Sequence, residues 1–290
     1  LRKAGADMAR DNQTASAGVT VAPAKGGSTI TLPGGTEVFK PRSYALPIAA
    51  GIAVFGAFCV WFTGFDPTVL ATRGDEFFVI LGRMFPPDWS SAGGIVEPLL
   101  DTIRMSLLGS AIGAVAAVPF AMIASTTIVH VKAVTLAMRF VFSLIRTLPT
   151  IITALIATYI FGLGTLAGTT AIALFTFSYL GKVLYEEIES VDMGAFEAMT
   201  ALGASPWQAF RFAVLPAVLP SYMSNALFCF EGNVRYSAIL GYVGAGGLGL
   251  ILNENLAWRE YSTVGMILLE LLATVFVIET ASRAIRRRLE

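Results

Sequence analysis

Six runs of apolar residues, each long enough to cross a lipid bilayer as a helix, constrain this chain more than any other feature. A bilayer core needs about 20 consecutive apolar residues in a helix. The runs cover residues 44–65, about 99–125, 165–188, 213–232 and 262–282, with one more that begins between Val134 and Pro149. The composition agrees, since 55% of the residues are hydrophobic, 14% are charged and the mean hydropathy is +0.70. We therefore expect an all-α membrane protein with about six transmembrane helices.

The polar stretches divide the chain into segments. Residues 1–43 show no sustained hydrophobic period and predict a flexible tail, and residues 66–98 are polar and acidic, with a short interfacial helix predicted at 75–85. Residues 99–285 form the main membrane domain, and residues 286–290 form a basic end. Lys and Arg are concentrated in the tail, in the 126–148 crossing, in the 182–211 loop and at the basic end. Both termini and the 192–211 loop are therefore predicted to be cytoplasmic, and residues 66–98 extracytoplasmic.

Several functional classes are disfavoured by the composition. A formal net charge of zero gives no basic field for nucleic acid. Cys59 and Cys229 lie in apolar runs, so we interpret both as small buried hydrophobic residues rather than as disulfide or metal ligands. The single histidine, His130, lies upstream of the "GASP" stretch at 203–206, whereas an intramembrane serine protease needs a base on a later span. A protease remains only a remote alternative.

The 192–211 loop has the pattern of two short helices joined by a tight turn. Gly203 permits a backbone turn that a residue with a Cβ would resist. Ser205 is a suitable helix cap, and Pro206 fits the first helical turn after it. Such a compact pair of helices suits insertion into a groove on another protein, although an ordinary cytoplasmic loop is the alternative. The candidate docking side chains are Phe196, Met199 and Trp207.

This loop resembles the EAA signature of binding-protein-dependent ABC import permeases. The signature reads Glu-Ala-Ala, three residues, Gly, nine residues, Ile, one residue and Leu-Pro. The matching positions are Glu197, Ala198, Gly203, Leu215 and Pro216, while Met199 and Ala213 depart from it. The resemblance implies a type I ABC importer permease fold, in which this loop is a coupling helix seated in a separate ATPase subunit. The coupling residues that it implies are Glu197, Ala198, Met199, Gly203, Ala204, Ser205 and Trp207.

Residues 230–249, "FEGNVRYSAILGYVGAGGLG", are similar to a segment of phosphonate-type permeases. The matching residues are Asn233, Arg235, Leu240, Gly241, Val243, Gly244, Ala245, Gly246, Gly247 and Gly249. This resemblance implies transport of a phosphonate or a related small oxyanion. The glycine-rich part is shared with methionine-type permeases, so methionine or another small solute is the alternative cargo.

The family resemblance also implies the partners. We expect a pair of ABC ATPase subunits, a second permease subunit, an extracytoplasmic solute-binding protein and the lipid bilayer. A homodimer of this chain is the expected permease pair, and a heterodimer with a different permease is the alternative. ATP and Mg would be bound by the ATPase subunits, so the chain itself is expected to hold no cofactor and no metal and to catalyse no bond change.

Arg235 is the main candidate for substrate contact. A charged group close to hydrocarbon is costly and usually has a partner or a function, and a guanidinium binds a phosphonate through paired hydrogen bonds. The alternative is a local ion pair with Glu231, four residues earlier on the helix. The candidate translocation path consists of Asn233, Arg235, Gly244, Gly246 and Gly247.

The other glycines and acids in the spans receive structural interpretations. The glycine run at 241–249 lacks the lysine of a nucleotide P-loop, and it either packs closely or contacts substrate. Gly109 and Gly113 have the spacing that lets a second helix approach closely. Glu270 and Glu279 are expected to form ion pairs that face the bundle.

Overall fold

The computed structural model describes residues 28–31, 37–40 and 44–289. Its elements are the strands β1 (Ser28–Thr31) and β2 (Glu37–Lys40) and the helices α1 (Ala45–Phe62), α2 (Pro67–Arg83), α3 (Ala92–Ala124), α4 (Lys132–Thr147), α5 (Thr150–Phe161), α6 (Thr165–Ser190), α7 (Gly194–Ala201), α8 (Pro206–Ala209), α9 (Leu215–Leu240), α10 (Leu248–Trp258) and α11 (Tyr261–Leu289). Within the described residues, five helical stretches are long and apolar enough to cross a membrane, and the bent pair α4 and α5 makes up to six. The prediction of about six spans is confirmed.

The amino-terminal unit contains β1, β2 and α1. The two strands pair antiparallel, with Ser28 opposite Lys40. They lie inside the segment for which a flexible tail is predicted, and residues 1–27, 32–36 and 41–43 of that segment lie outside the described residues. Helix α1 agrees with the first predicted span, and none of its residues is buried in the described structure. A helix that is apolar on all sides suits a lipid environment.

Helices α3 and α6 cross at close range in the unit of residues 75–289. A Cβ atom on Gly113 would lie 2.6 Å from the carbonyl oxygen of Ala173, and one on Gly109 would lie 2.8 Å from that of Thr169. Because lipid is as apolar as a side chain, helices in a membrane gain stability from such close packing rather than from burial alone. The predicted role of the two glycines is confirmed.

The third predicted span is broken at Pro149. Helix α4 ends at Thr147 and α5 begins at Thr150, with a bend of 90° between them. Proline disfavours the helical conformation in the residue before it, and Leu148 accordingly has an extended backbone, with ψ of 122°. The sequence left the start of this span open between Val134 and Pro149 because it contains helix on both sides of the proline.

The fifth span begins earlier than the apolar run suggests. Helices α8 and α9 form one helical stretch through a π-helical turn, Phe210–Val214, so that the helix extends from Pro206 rather than from residue 213. Pro216 therefore lies near the amino-terminal end of α9 and does not start the span. Similarly, α3 begins at Ala92 instead of residue 99, and α11 continues to Leu289 through most of the basic end.

The largest apolar core cluster lies beneath the 192–211 loop. Phe142, Leu184 and Ile188 on α4 and α6 pack with Phe196 on α7 and Phe210 in the π turn, and all five side chains are buried. Burying a side chain of this size contributes about 1.5–3 kcal/mol relative to exposure to water. The loop is therefore packed onto the ends of the bundle.

The acids of α11 do not form the expected pairs across the bundle. Glu279 lies 3.4 Å from Arg283 one turn later on the same helix, at a partly exposed position. In Glu270, Oε2 is buried and has no hydrogen-bond partner among the described residues. The i and i+4 spacing of the first pair is sufficient to hold it along one helix, so the prediction of a bundle-facing pair is wrong for Glu279.

Candidate coupling loop and translocation face

The 192–211 loop has the predicted helix, glycine turn and helix. Gly203 has φ of +91°, in the left-handed region that residues with a Cβ rarely adopt, and its N–H donates to the carbonyl of Thr200 at 3.0 Å. The Ser205 hydroxyl accepts from the N–H of Gln208, and the Gln208 side chain accepts from the N–H of Ser205 at 2.8 Å. This reciprocal capping box fixes the start of α8 at Pro206.

The exposed surface of this loop differs from the predicted one. Phe196 is only 7% exposed and belongs to the apolar core, so its prediction as a docking side chain is wrong. Met199 is half-buried against the same core. Leu202 is 88% exposed and Trp207 is 46% exposed, and Glu197 is also exposed. The loop therefore exposes the hydrophobic side chains of Leu202 and Trp207 as well as Glu197 to a partner.

A cavity of 490 Å³ separates α7 from the turn between α3 and α4. Thr126, Thr127 and His130 line it from the turn, while Glu197 and Thr200 line it from α7. The structure thus brings the single histidine of the chain beside the glutamate of the EAA stretch. The remaining lining residues, Ile128, Met193, Phe196 and Pro206, are apolar, so the cavity combines polar and apolar walls.

Arg235 lies on an exposed face of α9, and no hydrogen bond or ion pair to it exists among the described residues. Glu231, its predicted helical partner, instead pairs with Arg286 of α11 at 2.8 Å. The alternative of a local Glu231–Arg235 pair is therefore wrong. Tyr236, which follows Arg235 in the chain, is also exposed. It makes an edge contact with Phe175 of α6, with ring centroids 6.5 Å apart.

Asn233 does not share this open face. Its side chain is 2% exposed, and its Nδ2 donates to Ser110 Oγ of α3 at 2.8 Å and to Thr176 Oγ1 of α6 at 2.9 Å. One turn later, Ser237 and Ser106 share a hydrogen bond of 2.6 Å between their hydroxyls. These polar contacts hold α3, α6 and α9 together, so Asn233 has a structural environment and lies apart from the surface of Arg235.

The glycine run after α9 forms a tightly packed turn. A Cβ atom on Gly247 would lie 2.6 Å from Thr102 Oγ1, and one on Gly246 would lie 2.9 Å from the backbone nitrogen of Thr165. The carbonyl of Gly244 accepts from the N–H of Gly164 at 2.9 Å. The packing interpretation accounts for all three glycines.

Both cysteines of the chain are free, and Cys229 is buried, as expected, whereas Cys59 is half-buried. Within the described residues, no group of three or more His, Cys, Asp or Glu side chains is placed to hold a metal ion.

Residues 102–290 match the family described as the binding-protein-dependent transport system inner membrane component. The chain belongs to this permease family. Among curated relatives, the phosphite transport system permease protein PtxC of Stutzerimonas stutzeri is 34% identical over 237 residues, which are 81% of this chain and 86% of that protein. The phosphate-import permease protein PhnE of Mycolicibacterium smegmatis is 33% identical over 78% of this chain and 43% of its own length. A probable D-methionine permease, MetI of Vibrio cholerae, is 25% identical over 66% of this chain and 89% of that protein.

Solved structures confirm the fold of this permease. The inward-facing MetNI methionine ABC transporter matches with a TM-score of 0.62 and 24% identity, over 70% of this chain and 99% of that chain. An amino acid ABC transporter matches with a TM-score of 0.56 and 19% identity, over 69% of this chain and 98% of that chain. The predicted ABC importer permease fold, with transmembrane helices and a short helix in the 192–211 loop, is therefore present.

Two acidic residues near the end of α6 form contacts that sequence reasoning missed. Glu187 accepts hydrogen bonds from α9, and Glu189 accepts them from α4 and from the turn after α3. In the sequence, these acids only mark the point at which α6 leaves the hydrocarbon. A signal was present in the clustering of Glu186, Glu187 and Glu189 within one helical turn, but the partners of Glu187 and Glu189 lie at least 34 residues away in the chain.

Proposed function

We propose that two copies of this permease enclose a path through which an ATP-driven importer moves phosphite, a phosphonate or a related small phosphorus oxyanion. Three relatives with phosphite or phosphate transport in their names are 30–34% identical over 70–81% of this chain. The methionine relative is 25% identical over 66% of it. This order supports the oxyanion over methionine as the cargo.

The free guanidinium of Arg235 is the observation that carries the substrate proposal. It is exposed on a helix long and apolar enough to span the membrane, and it has no ionic partner among the described residues. An arginine facing lipid at the bilayer centre costs about 2.5–3.5 kcal/mol or more, so this face is expected to border water. A guanidinium in such a path presents parallel N–H donors that match two oxygens of an oxyanion.

The 192–211 loop is proposed to dock into a separate ABC ATPase subunit. Leu202 and Trp207 provide an exposed apolar contact, and the left-handed turn at Gly203 with the capping box at Ser205 keeps it in one shape. Glu197, Ala198, Met199 and Ala204 complete the proposed contact. ATP and Mg would be bound by the partner subunits, and a second copy of this chain would supply the second docking loop for a paired ATPase.

The orientation follows from the charge distribution. The excess of Lys and Arg in residues 1–43, in the 192–211 side of the bundle and at the end of α11 supports cytoplasmic termini in the cell membrane. The segment at 66–98 would then face outward, where an extracytoplasmic solute-binding protein would deliver the ligand.

Uptake into proteoliposomes tests this function. The permease is reconstituted with the ATPase and solute-binding protein of the same system, and ATP-dependent uptake of phosphite, methylphosphonate and methionine is measured. We expect uptake of a phosphorus oxyanion, a loss of roughly tenfold in Arg235→Ala and partial retention in Arg235→Lys, because lysine keeps the charge but not the paired donors.

The matched control is Arg83→Ala, which removes an exposed arginine at the end of α2. Normal oxyanion uptake by Arg235→Ala would contradict the proposed contact between Arg235 and the substrate. Uptake of methionine in place of the oxyanions would instead assign the alternative cargo.

A further inference from the structure

Glu189, in the last turn of α6, joins two other helices. Its Oε1 accepts a hydrogen bond from the backbone N–H of Thr126 at 2.7 Å, directly after α3 ends, and another from the guanidinium of Arg139 on α4. Arg139 Nε also donates to the carbonyl of Ala124 at 2.9 Å, and its guanidinium lies 4.6 Å from the ring centre of Tyr185. One carboxylate therefore fixes the end of α6 against the turn after α3 and against the middle of α4.

Glu187, two residues earlier, binds a further helix. Its Oε1 accepts from the hydroxyl of Ser221 at 2.6 Å and from Nδ2 of Asn225 at 2.9 Å, both on α9. Hydrogen bonds to an ionised group are roughly twice as strong as those between neutral groups. The contact therefore ties α9 to α6 near the point where both helices meet the 192–211 loop.

The two glutamates, here called the acidic hub, flank the 192–211 loop in the chain. The loop leaves α6 directly after the hub and returns through α8 and the π turn into α9, the helix that Glu187 holds. Phe196 fixes α7 to the core beneath it. The loop therefore packs on helices that the hub joins, since Glu187 and Glu189 link α6 to α9, to α4 and to the turn after α3.

We propose that Glu187 and Glu189 are positioning residues that convert movement of the 192–211 loop into joint movement of these four helices. The inference rests on the proposed function, since it requires an ATPase that moves the loop. Without the hub, the ATPase still docks and hydrolyses ATP, but the loop moves without carrying the helices with it. Loss of the hub thus separates hydrolysis from transport.

Glu186 provides a matched control within the same helical turn. Its side chain is about half exposed and lies 3.3 Å from Lys182 on the same helix, so it joins no second element through an ion pair in the described structure. The substitutions Glu186→Gln, Glu187→Gln and Glu189→Gln remove the same charge from positions within one helical turn, and only the last two disturb contacts between helices.

The test measures substrate transported per ATP hydrolysed in proteoliposomes. In Glu187→Gln and Glu189→Gln, we expect this ratio to fall roughly tenfold, while ATPase binding and hydrolysis change less than about twofold. Glu186→Gln is expected to keep the wild-type ratio. An unchanged ratio in both hub variants, or a parallel loss of uptake, hydrolysis and ATPase binding, would overturn the inference.

Hydrogen exchange of the purified permease gives a second measurement that needs no partner. We expect backbone amides of residues 192–205 to exchange roughly tenfold faster in the hub variants than in wild type or Glu186→Gln, because the helices on which the loop packs are then held together by fewer contacts. Equal exchange rates in all of them would overturn the positioning role. Failure of the wild-type permease to bind an ATPase would instead refute the proposed function, and it would leave the exchange result to decide the hub.

Discussion

Arg286, near the end of α11, donates from Nη2 to Oε1 of Glu231 on α9 at a distance of 2.8 Å. The Glu231 side chain is 6% exposed and that of Arg286 is 21% exposed, so the pair is largely removed from water. The arginine is 55 residues from its partner and belongs to the stretch that the sequence marks only as a basic end. This ion pair attaches the end of α11 to a buried position on α9.

Replacement of Arg286 tests the importance of this attachment. Arg286→Ala is expected to lower the free energy of unfolding by about 3 kcal/mol, because a buried carboxylate is left without its partner. The double variant Glu231→Gln/Arg286→Ala should recover part of that loss, since no unpaired charge remains. Denaturant titration in detergent micelles measures both. Arg287→Ala, at an exposed position on the same turn, is the control, and an equal loss in that variant would contradict the prediction.

Alanine at Gly113 tests the crossing of α3 and α6. The added Cβ would meet the carbonyl of Ala173, and overpacking of this kind costs about 1–3 kcal/mol. Gly94→Ala is the matched control on the same helix, because no atom lies within 4 Å of its added Cβ and alanine favours helix by about 1 kcal/mol. Thermal unfolding of the purified protein should therefore shift in opposite directions for the two variants. A shift of the same sign and size would refute the packing role of Gly113.

The exposed side chains of the 192–211 loop provide a test of docking. Trp207→Ala and Leu202→Ser are expected to weaken binding of the ATPase partner roughly tenfold each, because exposed aromatic and apolar anchors dominate many interfaces. Neither change should affect the stability of the permease alone. Trp89→Ala, an exposed tryptophan in the loop before α3, is the matched control. Calorimetric titration in micelles gives the affinities, and unchanged binding in both loop variants would place the ATPase contact elsewhere.

Asn233→Leu tests whether this residue has a structural role. The change removes hydrogen bonds to Ser110 and Thr176 and leaves both hydroxyls without that donor. Interhelical hydrogen bonds in membranes contribute about 0.6–1.7 kcal/mol each, so we expect a total loss of about 1–3 kcal/mol. Asn255→Leu is the control, because Asn255 Nδ2 donates to the carbonyl of Ile251 within its own helix. A variant with normal stability and no oxyanion uptake would contradict a purely structural role and would support the prediction that Asn233 lies in the translocation path.

Local rules predicted the parts of the fold that depend on neighbours in sequence. The turn at Gly203, the cap at Ser205 and the break at Pro149 all follow from the backbone preferences of single residues. The spans follow from the length of the apolar runs, although their ends do not. Helices α3, α9 and α11 extend past the apolar runs because helix formation continues as long as hydrogen bonds and packing support it.

Contacts between distant segments could not be predicted in this way. The i and i+4 rule offered Arg235 as an alternative partner for Glu231, whereas the fold pairs Glu231 with Arg286 and leaves Arg235 without an ion pair among the described residues. The periodicity around Phe196 identified an apolar face but not whether that face meets the core or a partner. Tertiary packing decided each case.

The continuity of the helix from Pro206 to the turn at Gly241 has a mechanical consequence. At 1.5 Å per residue, a stretch of 38 residues is about 57 Å long, which exceeds the thickness of the membrane. A tilt of about 5° at the docking end then displaces the opposite end by roughly 5 Å, by the same helix dimensions. A continuous helix of this length therefore converts a small rotation on one side of the membrane into a displacement on the other side. That displacement is comparable to the diameter of the proposed cargo.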